Sequence, residues 1–273
     1  MINKSIEVNA DKCIYCGRCL ADCLSDCLEF NADKIPQYRS GGRQRCFACQ
    51  HCMAVCPAGA LSFGGIDPET LPKAAFADGE QMLLSIKSRR SVRSYKQTDV
   101  PSETLDKIKE MLSYPPTACN YDSLHFSIIG TKAKMDEIRR TTYKCLDAID
   151  AASPLYKFKC ILETSLPGRQ DPIYAGAPTM IACAFSKFNT APGCESVDPI
   201  IALSYFELYA QSLGLGTLWD GFATIAARSF PEVYALLEIP EQYSLSFVLP
   251  FGLPAVSYAR TPHRNRHSIK IVR

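Results

Sequence analysis

Two stretches of sequence decide the fold of the N-terminal part: CIYCGRCLADC at residues 13–23 and CFACQHCMAVCP at residues 46–57. Each stretch places four cysteines at the spacing C-x2-C-x2-C-x3-C. Three thiolates at this spacing can hold three corners of an iron–sulfur cubane, and where the motif occurs twice the fourth cysteine ligates the other cluster. The repeated motif therefore predicts two [4Fe–4S] clusters whose ligands cross between the motifs.

The crossed arrangement assigns four thiolates to each cluster. The first cluster is expected to bind Cys13, Cys16, Cys19 and Cys56, and the second Cys46, Cys49, Cys52 and Cys23. The alternatives are zinc, which usually binds two separated C-x2-C pairs, and disulfides, which belong to oxidising compartments. Cys27 lies outside both motifs, and we expect it to be a small buried apolar residue.

The composition is that of a folded protein. Of 273 residues, 47% are hydrophobic and 21% are charged, which excludes a disordered chain. Lys and Arg total 30 against 28 for Asp and Glu, so composition gives no reason to expect a nucleic-acid partner. No apolar run approaches the ~18 residues of a membrane span, and the first residues, MINKSIEVNADKC, lack the apolar core of a secretory signal. We therefore expect a cytoplasmic protein without a membrane partner.

The length predicts about two domains, and the Gly- and Pro-containing stretch 64–72 marks a boundary. We place the first domain at residues 1–70 and the second at 75–273. In the second domain the pattern alternates between helices and strands. Predicted helices are 79–89, 102–113, 133–149, 196–213 and 230–238, and predicted strands are 125–130, 179–185, 217–222 and 243–251. Residues 199–213 (PIIALSYFELYAQSL) are apolar on most faces, which predicts a centrally buried helix.

Small polar and basic motifs recur through the second domain. Guanidiniums such as those of RRSVR at 89–93 can bind a phosphate, and an Asn such as that of PPTACN at 115–120 can hydrogen-bond a ring edge. Taken singly, the first is more typical of a solvated surface and the second of a turn. Further pieces follow in order: Ala177-Pro178, the helix end LGLGTLWDG at 213–221, FGLPA at 251–255, and tail arginines.

Residues 5–63 resemble a bacterial two-cluster [4Fe–4S] ferredoxin domain, and residues 80–273, with the motifs in this order, resemble the nitroreductase family of FMN enzymes. The second resemblance implies an α+β fold that dimerises with FMN between the subunits. It also implies the residues that bind FMN. They are Arg89, Arg90, Ser91 and Arg93 at the ribityl chain and phosphate, Thr117 and Asn120 near the flavin, Trp219, Asp220 and Gly221 along the ring, and Arg264 and Arg266 at the phosphate. At Asp122-Ser123 the chain departs from the Gln/Glu-Pro of many relatives, which puts the substrate contacts of that loop in doubt.

The combination predicts an FMN-dependent oxidoreductase that receives electrons through two [4Fe–4S] clusters and reduces a small electrophile such as a nitro compound or quinone. Ferredoxin or NAD(P)H is the expected donor, and the expected assembly is a homodimer. No side chain stands out as a nucleophile or general base, which fits chemistry performed by the flavin. Two alternatives stay open: an electron-transfer module that serves a partner protein, and a specialised flavin-fragmenting or dehalogenating family member.

Overall fold

The computed structural model describes residues 3–165, 168, 170–188, 193–264 and 267–273. The chain separates into two compact units. The first contains Met1–Phe76 with Cys119–Tyr121, and the second contains Ala77–Ala118 with Asp122–Arg273. In the described residues, no helix is both long enough and apolar enough to cross a lipid bilayer.

The first unit consists of short elements joined by turns. Its strands form two antiparallel pairs, β1 (Ile6–Val8) with β4 (Leu61–Phe63) and β2 (Leu28–Phe30) with β3 (Pro36–Tyr38). Its helices have one turn each: α1 (Arg18–Ala21), α2 (Gly42–Arg45) and α3 (His51–Ala54), with a 3-10 turn at Pro68–Thr70. The small core includes Leu28, Met53, Leu61 and Phe63. Cys27 belongs to that core with 1% of its surface exposed, so its predicted burial is confirmed.

The second unit is built on one antiparallel sheet. The strands are β5 (Leu124–Ile129), β6 (Thr179–Ser186), β7 (Gly216–Thr217) and β8 (Tyr243–Gly252), in the order β5-β6-β8-β7. The helices are α4 (Gly79–Ser88), α5 (Ser102–Met111), α6 (Lys132–Asp147), α7 (Tyr156–Ser165), α8 (Cys194–Ser212), α9 (Gly221–Ser229) and α10 (Pro231–Ala235). A 3-10 turn is formed by Ala118–Asn120.

Helices cover both faces of this sheet. Along β6, Met180 and Ala182 belong to one apolar cluster and Ile181 and Cys183 to another, because successive strand residues point to opposite faces. The first cluster contains residues of α6, α7, α9 and α10, and the second contains residues of α5 and α8. A sheet between two helical layers is an α+β arrangement, as predicted.

Three expectations about local structure are corrected. The predicted strand 217–222 is wrong beyond Thr217, because Asp220 caps a helix that begins at Gly221. The helices α7 and α9 were not predicted from the sequence. The helix α8 is buried on one face only, since Val197, Ile200 and Tyr205 are exposed although the sequence is apolar all round.

Candidate functional site

The two cysteine motifs fold into the same local backbone. In each motif the second and fourth residues after the first cysteine have left-handed backbone angles: Tyr15 and Gly17 in the first motif, Ala48 and Gln50 in the second. One helical turn follows directly in both, as α1 and α3. The left-handed residues curl the chain, so that cysteines separated by only two residues can face a common space.

The first unit contains two cavities, and each is lined by four of the predicted ligands. Cys13, Cys16, Cys19 and Cys56 line one cavity. Cys23, Cys46, Cys49 and Cys52 line the other, together with Cys27 from outside both motifs. Each cavity thus takes three cysteines from one motif and the fourth from the other. The structure brings the thiols together in the crossed grouping, and their ligation of clusters stays a prediction.

Backbone amides point at the sulfur atoms beside these cavities. Ala48 N donates to Cys46 Sγ, Cys27 N to Cys23 Sγ, and Ala60 N to Cys56 Sγ, each at 3.3 Å. Such N–H groups stabilise negative charge on a thiolate, and hydrogen bonds to the sulfurs are one determinant of cluster potential. The eight motif cysteines are free thiols rather than disulfides. Within the described residues, no three His, Cys, Asp or Glu side chains converge on a single metal-ion position. The thiol sets fit clusters by number, grouping and amide donors.

The second unit contains a cavity of about 340 Å³, a volume within the range of small-molecule sites. Four of the predicted FMN-binding residues line it, namely Arg93, Trp219, Asp220 and Gly221. The remaining lining residues are Pro172, Ala175, Leu218, Phe222 and Ile225. The lining is mostly apolar, with Arg93 and Asp220 as its charged members.

Hydrogen bonds along β7 bring the distant parts of this lining together. Val92 N donates to Thr217 O at 2.9 Å, and Ser91 forms a parallel bridge with Thr217. The basic segment 89–93 therefore runs beside the strand that leads to Trp219. A Cβ added to Gly221 would face open space, with no atom within 4 Å other than those of the adjoining residues and the backbone of α9. Glycine at this cavity position leaves room for a flat ligand to approach the backbone of the first turn of α9.

Asp220 shapes the electrostatics of the cavity. Its side chain caps α9 by accepting a hydrogen bond from Ala223 N at 3.0 Å, and it is buried. Burial is the largest influence and raises the pKa of Asp220 to about 6. Hydrogen bonds from the backbone of Ala223 and Phe222 lower this pKa. The charge of Asp171 raises it and that of Arg93 lowers it. The capped N-terminus of α9 adds the positive end of a helix dipole at the same place.

Arg89 and Arg90 do not line this cavity. Arg89 Nη1 donates to Glu207 Oε1 on α8 at 3.0 Å, and Thr217 Oγ1 donates to the same oxygen at 3.4 Å. Arg90 donates to the carbonyl oxygens of Lys87 and Arg89. Their predicted contacts with FMN stay predictions, and in this structure both guanidiniums bind protein groups.

The other predicted FMN contacts also lie outside the cavity lining. The Thr117 hydroxyl accepts a hydrogen bond from Asp122 N at 3.1 Å. Asn120 belongs to the segment that is part of the first unit. Arg264 is exposed in the C-terminal tail, and Arg266 lies outside the described residues.

Sequence reasoning missed one wall of the cavity. Pro172 and Ala175 lie in the segment between α7 and β6, which contains no motif apart from the Ala177-Pro178 pair that follows. The available signal was Asp-Pro followed by Ala-Gly, which is typical of a tight turn. Glu207 was also missed, because an acidic residue inside an apolar helical stretch does not by itself indicate a partner.

Cavities lined by two sets of four thiols, and a small-molecule cavity beside a four-stranded sheet, define a redox protein with an iron–sulfur part and a ligand-binding part. Residues 86–253 match the model of the nitroreductase family, and residues 12–60 match the model of a 4Fe-4S dicluster domain. The chain belongs to the nitroreductase family and is preceded within the same polypeptide by a ferredoxin-like 4Fe-4S dicluster domain. The predicted fusion of these two domains is confirmed.

Individual relatives agree with this assignment. A protein of Methanothermobacter thermautotrophicus named "Putative NADH dehydrogenase/NAD(P)H nitroreductase" is 27% identical over 64% of this chain and 78% of its own. An FMN-bound nitroreductase of Bacteroides fragilis aligns with a TM-score of 0.57 at 23% identity, over 71% of this chain and 99% of its own. One from Desulfitobacterium hafniense, also with bound FMN, gives 0.57 at 24% identity, over 72% and 100%. The two structures show that the second unit shares their fold.

Proposed function

We propose that this protein is an FMN-dependent oxidoreductase that passes electrons from an external donor through two [4Fe–4S] clusters to FMN and then to a small electrophile. The observation that supports this best is the crossed grouping of eight thiols in one unit, together with a cavity in the other unit that contains four of the predicted FMN-binding residues. A nitro compound or a quinone is the proposed class of acceptor.

The residues of the 340 Å³ cavity fit a flavin. FMN, when bound, can exchange electrons singly or in pairs, which matches one-electron carriers to a two-electron reduction. Arg93 supplies a positive charge, and the N-terminus of α9 supplies backbone N–H groups and a favourable dipole for a reduced, more negative ring. The apolar residues exclude water from the ring.

The residues of the cysteine motifs would hold the two clusters. Backbone N–H groups at Ala48, Cys27 and Ala60 would stabilise the cluster-bound thiolates. Such hydrogen bonds would raise the reduction potentials of the clusters. Ferredoxin-type clusters can have potentials near −400 mV, from which transfer to a flavin is downhill. The proposed donor is therefore a low-potential carrier such as ferredoxin, with NAD(P)H as the alternative that would deliver hydride to FMN directly.

The electron route is tested with Cys49→Ser, prepared anaerobically with FMN retained. The matched control is Cys145→Ser, a half-buried cysteine outside both motifs. Flavin reduction by reduced ferredoxin is followed by stopped-flow absorbance. We expect the rate to fall at least tenfold in Cys49→Ser and to stay at the parental value in Cys145→Ser. An unchanged rate in Cys49→Ser would remove the clusters from the route.

We also propose that the protein is a homodimer. The helix α4 has no buried residue, yet Met82, Leu83, Leu84 and Ile86 are apolar. On α8, Ile200 lies on the exposed apolar face described above. Several large apolar side chains exposed on two helices are typical of an interaction surface, and a two-fold axis would cover the same side chains on both copies.

Light scattering at micromolar concentration tests the dimer. Ile200→Asp places a charge on the exposed face of α8, and we expect it to shift the mass to that of a monomer. Tyr114→Asp, at an exposed aromatic outside these two helices, is the control and is expected to leave the dimer intact. A parent protein that is monomeric would contradict the proposal.

A further inference from the structure

The cavity wall that contains Pro172 and Ala175 has an unusual backbone. Ala175 has φ of 52° and Gly176 has φ of 71°, so two consecutive residues are in the left-handed region. An alanine is unfavourable there because its Cβ crowds the neighbouring carbonyl oxygen. Such a conformation persists only where surrounding contacts hold it.

The carboxylate of Asp171 supplies those contacts. Its Oδ1 accepts hydrogen bonds from Tyr143 Oη at 2.7 Å and from Tyr174 N at 3.0 Å. Its Oδ2 accepts from Gly176 N at 2.9 Å and from Arg139 Nε at 2.8 Å. Tyr174 and Gly176 belong to the wall segment or directly follow it, and Tyr143 and Arg139 belong to helix α6. The side chain of Asp171 therefore links the wall segment to α6.

The hydrogen-bonded group of Asp171, Arg139 and Tyr143, called the clamp below, is anchored on helix α6. Arg139 also donates to Ala177 O at 2.8 Å and is ion-paired with Asp136. The clamp therefore holds the segment at both ends, at Asp171 and at Ala177. The aromatic ring of Tyr174 and the side chain of Ile173 are buried in the apolar cluster that contains residues of α6. This packing further restricts movement of the segment away from the helix.

We propose that Asp171, together with Arg139 and Tyr143, is a positioning residue that fixes the Pro172–Ala175 wall and thereby sets the fit of a planar ring in the 340 Å³ cavity. Asp171 does not line the cavity, so it acts through the wall and not by contact with the ligand. The ligand class follows from the surfaces that the wall helps to enclose. Apart from Arg93 and Asp220, these surfaces are apolar, and they include the aromatic residues Trp219 and Phe222. The inference rests on the proposed function, because it takes this cavity as the flavin and acceptor site.

The test uses two variants that loosen the clamp and one that does not. Tyr143→Phe removes a hydroxyl that bonds Asp171 and also accepts from Ile173 N at 3.3 Å. Asp171→Asn keeps the shape and removes the charge. Tyr174→Phe is the matched control. The Tyr174 hydroxyl lies in the same segment, but among the described residues it bonds the Thr142 hydroxyl, at 2.7 Å, and not Asp171.

Three measurements are made on the full-length protein. Hydrogen exchange follows the amides of Tyr174 and Gly176, fluorescence titration gives the dissociation constant of FMN, and menadione reduction by reduced ferredoxin gives KM and kcat. In both clamp variants we expect exchange at least tenfold faster, FMN binding weakened about fivefold to tenfold, and KM raised about tenfold with kcat within twofold. In Tyr174→Phe all three readouts should stay within twofold of the parent.

The two proposals fail in different ways. If the parent protein binds no FMN, the proposed function is wrong, and this inference is wrong with it. If the parent binds FMN and the clamp variants bind FMN and menadione as tightly as the parent, the positioning role alone is refuted. If Tyr174→Phe weakens FMN binding as much as the clamp variants do, general loss of stability explains the effect and the role of Asp171 is also refuted.

Discussion

Replacement of Arg89 by alanine would leave a carboxylate buried without its cation. Arg89 Nη1 lies 3.0 Å from Glu207 Oε1, and the two side chains are 29% and 9% exposed. Glu207 projects from the buried face of α8, beneath β7. Among the described residues, Arg89→Ala leaves that oxygen with one donor, the Thr217 hydroxyl, at the long distance of 3.4 Å. The variant therefore keeps a buried carboxylate without its ion-pair partner.

The expected cost follows from the exposure of the two partners. Removal of one partner from a fully buried ion pair destabilises a protein by about 3–5 kcal/mol, whereas an exposed pair contributes about 0–1 kcal/mol. Because Glu207 is buried and Arg89 is only partly so, we expect Arg89→Ala to lower the free energy of unfolding by about 2–3 kcal/mol. For a domain of about 200 residues this corresponds to a drop in Tm of roughly 5–10 °C.

The single tryptophan of the chain makes the assay specific. Trp219 lies in the second unit, so its fluorescence in urea reports unfolding of that unit without FMN. The pair is isolated by a double-mutant cycle of Arg89→Ala with Glu207→Gln, in which we expect a coupling of about 1–2 kcal/mol. Lys109→Ala is the control, because its ion pair with Asp106 has side chains 65% and 68% exposed, and it should cost less than about 0.5 kcal/mol.

Two results would refute this reasoning. One is an additive cycle, and the other is an Arg89→Ala variant no less stable than Lys109→Ala. If the unfolding free energy is unchanged while FMN binding weakens, Arg89 serves the cofactor phosphate, as the resemblance to nitroreductases implies. The same variant thus separates a structural role from a binding role.

Three further predictions concern single positions. Burial raises the pKa of Asp220 to about 6, so the contribution of this carboxyl to the free energy of unfolding should be largest when it is protonated. That contribution should fall by on the order of 2–3 kcal/mol as the pH rises from about 4 to above 6. Asp220→Asn can still cap α9 and should flatten this pH dependence in urea titrations followed by Trp219 fluorescence. Cys56→Ala should abolish the EPR signal of the cluster held by the first cysteine motif and spare the other, and loss of the opposite signal would contradict the crossed ligation. Leu203→Ala, at a fully buried position of α8, should cost about 2–5 kcal/mol in the same urea titration, and a loss below about 1 kcal/mol would show that this face is not tightly packed.

Much of the first unit was predictable because its chemistry is local. Successive cysteines separated by two residues lie at most about 10 Å apart along the chain, so a tight local turn suffices to bring them to one cluster, and their spacing alone predicts the kind of group they can hold. The thiol that crosses from the other motif was also predictable, since the repeat of the motif implies the exchange. In the second unit, Asp220 and Gly221 were predicted to contact the flavin, and the structure places both at the cavity, but the helix that begins there was predicted as a strand. A short apolar run after a glycine does not distinguish a buried strand from a buried helix.

Both domains could be recognised from the amino-acid sequence: the dicluster domain from the spacing of neighbouring cysteines, and the nitroreductase domain from the resemblance carried by several short motifs in a fixed order. Three features required the folded chain: the pairing of Arg89 with Glu207, 118 positions away, the exposed apolar face of α8, and the hold of Asp171 on a wall of the cavity. These contacts depend on how helices pack across the sheet. Packing sums many weak interactions between residues distant in sequence, and no local pattern of residues encodes that sum.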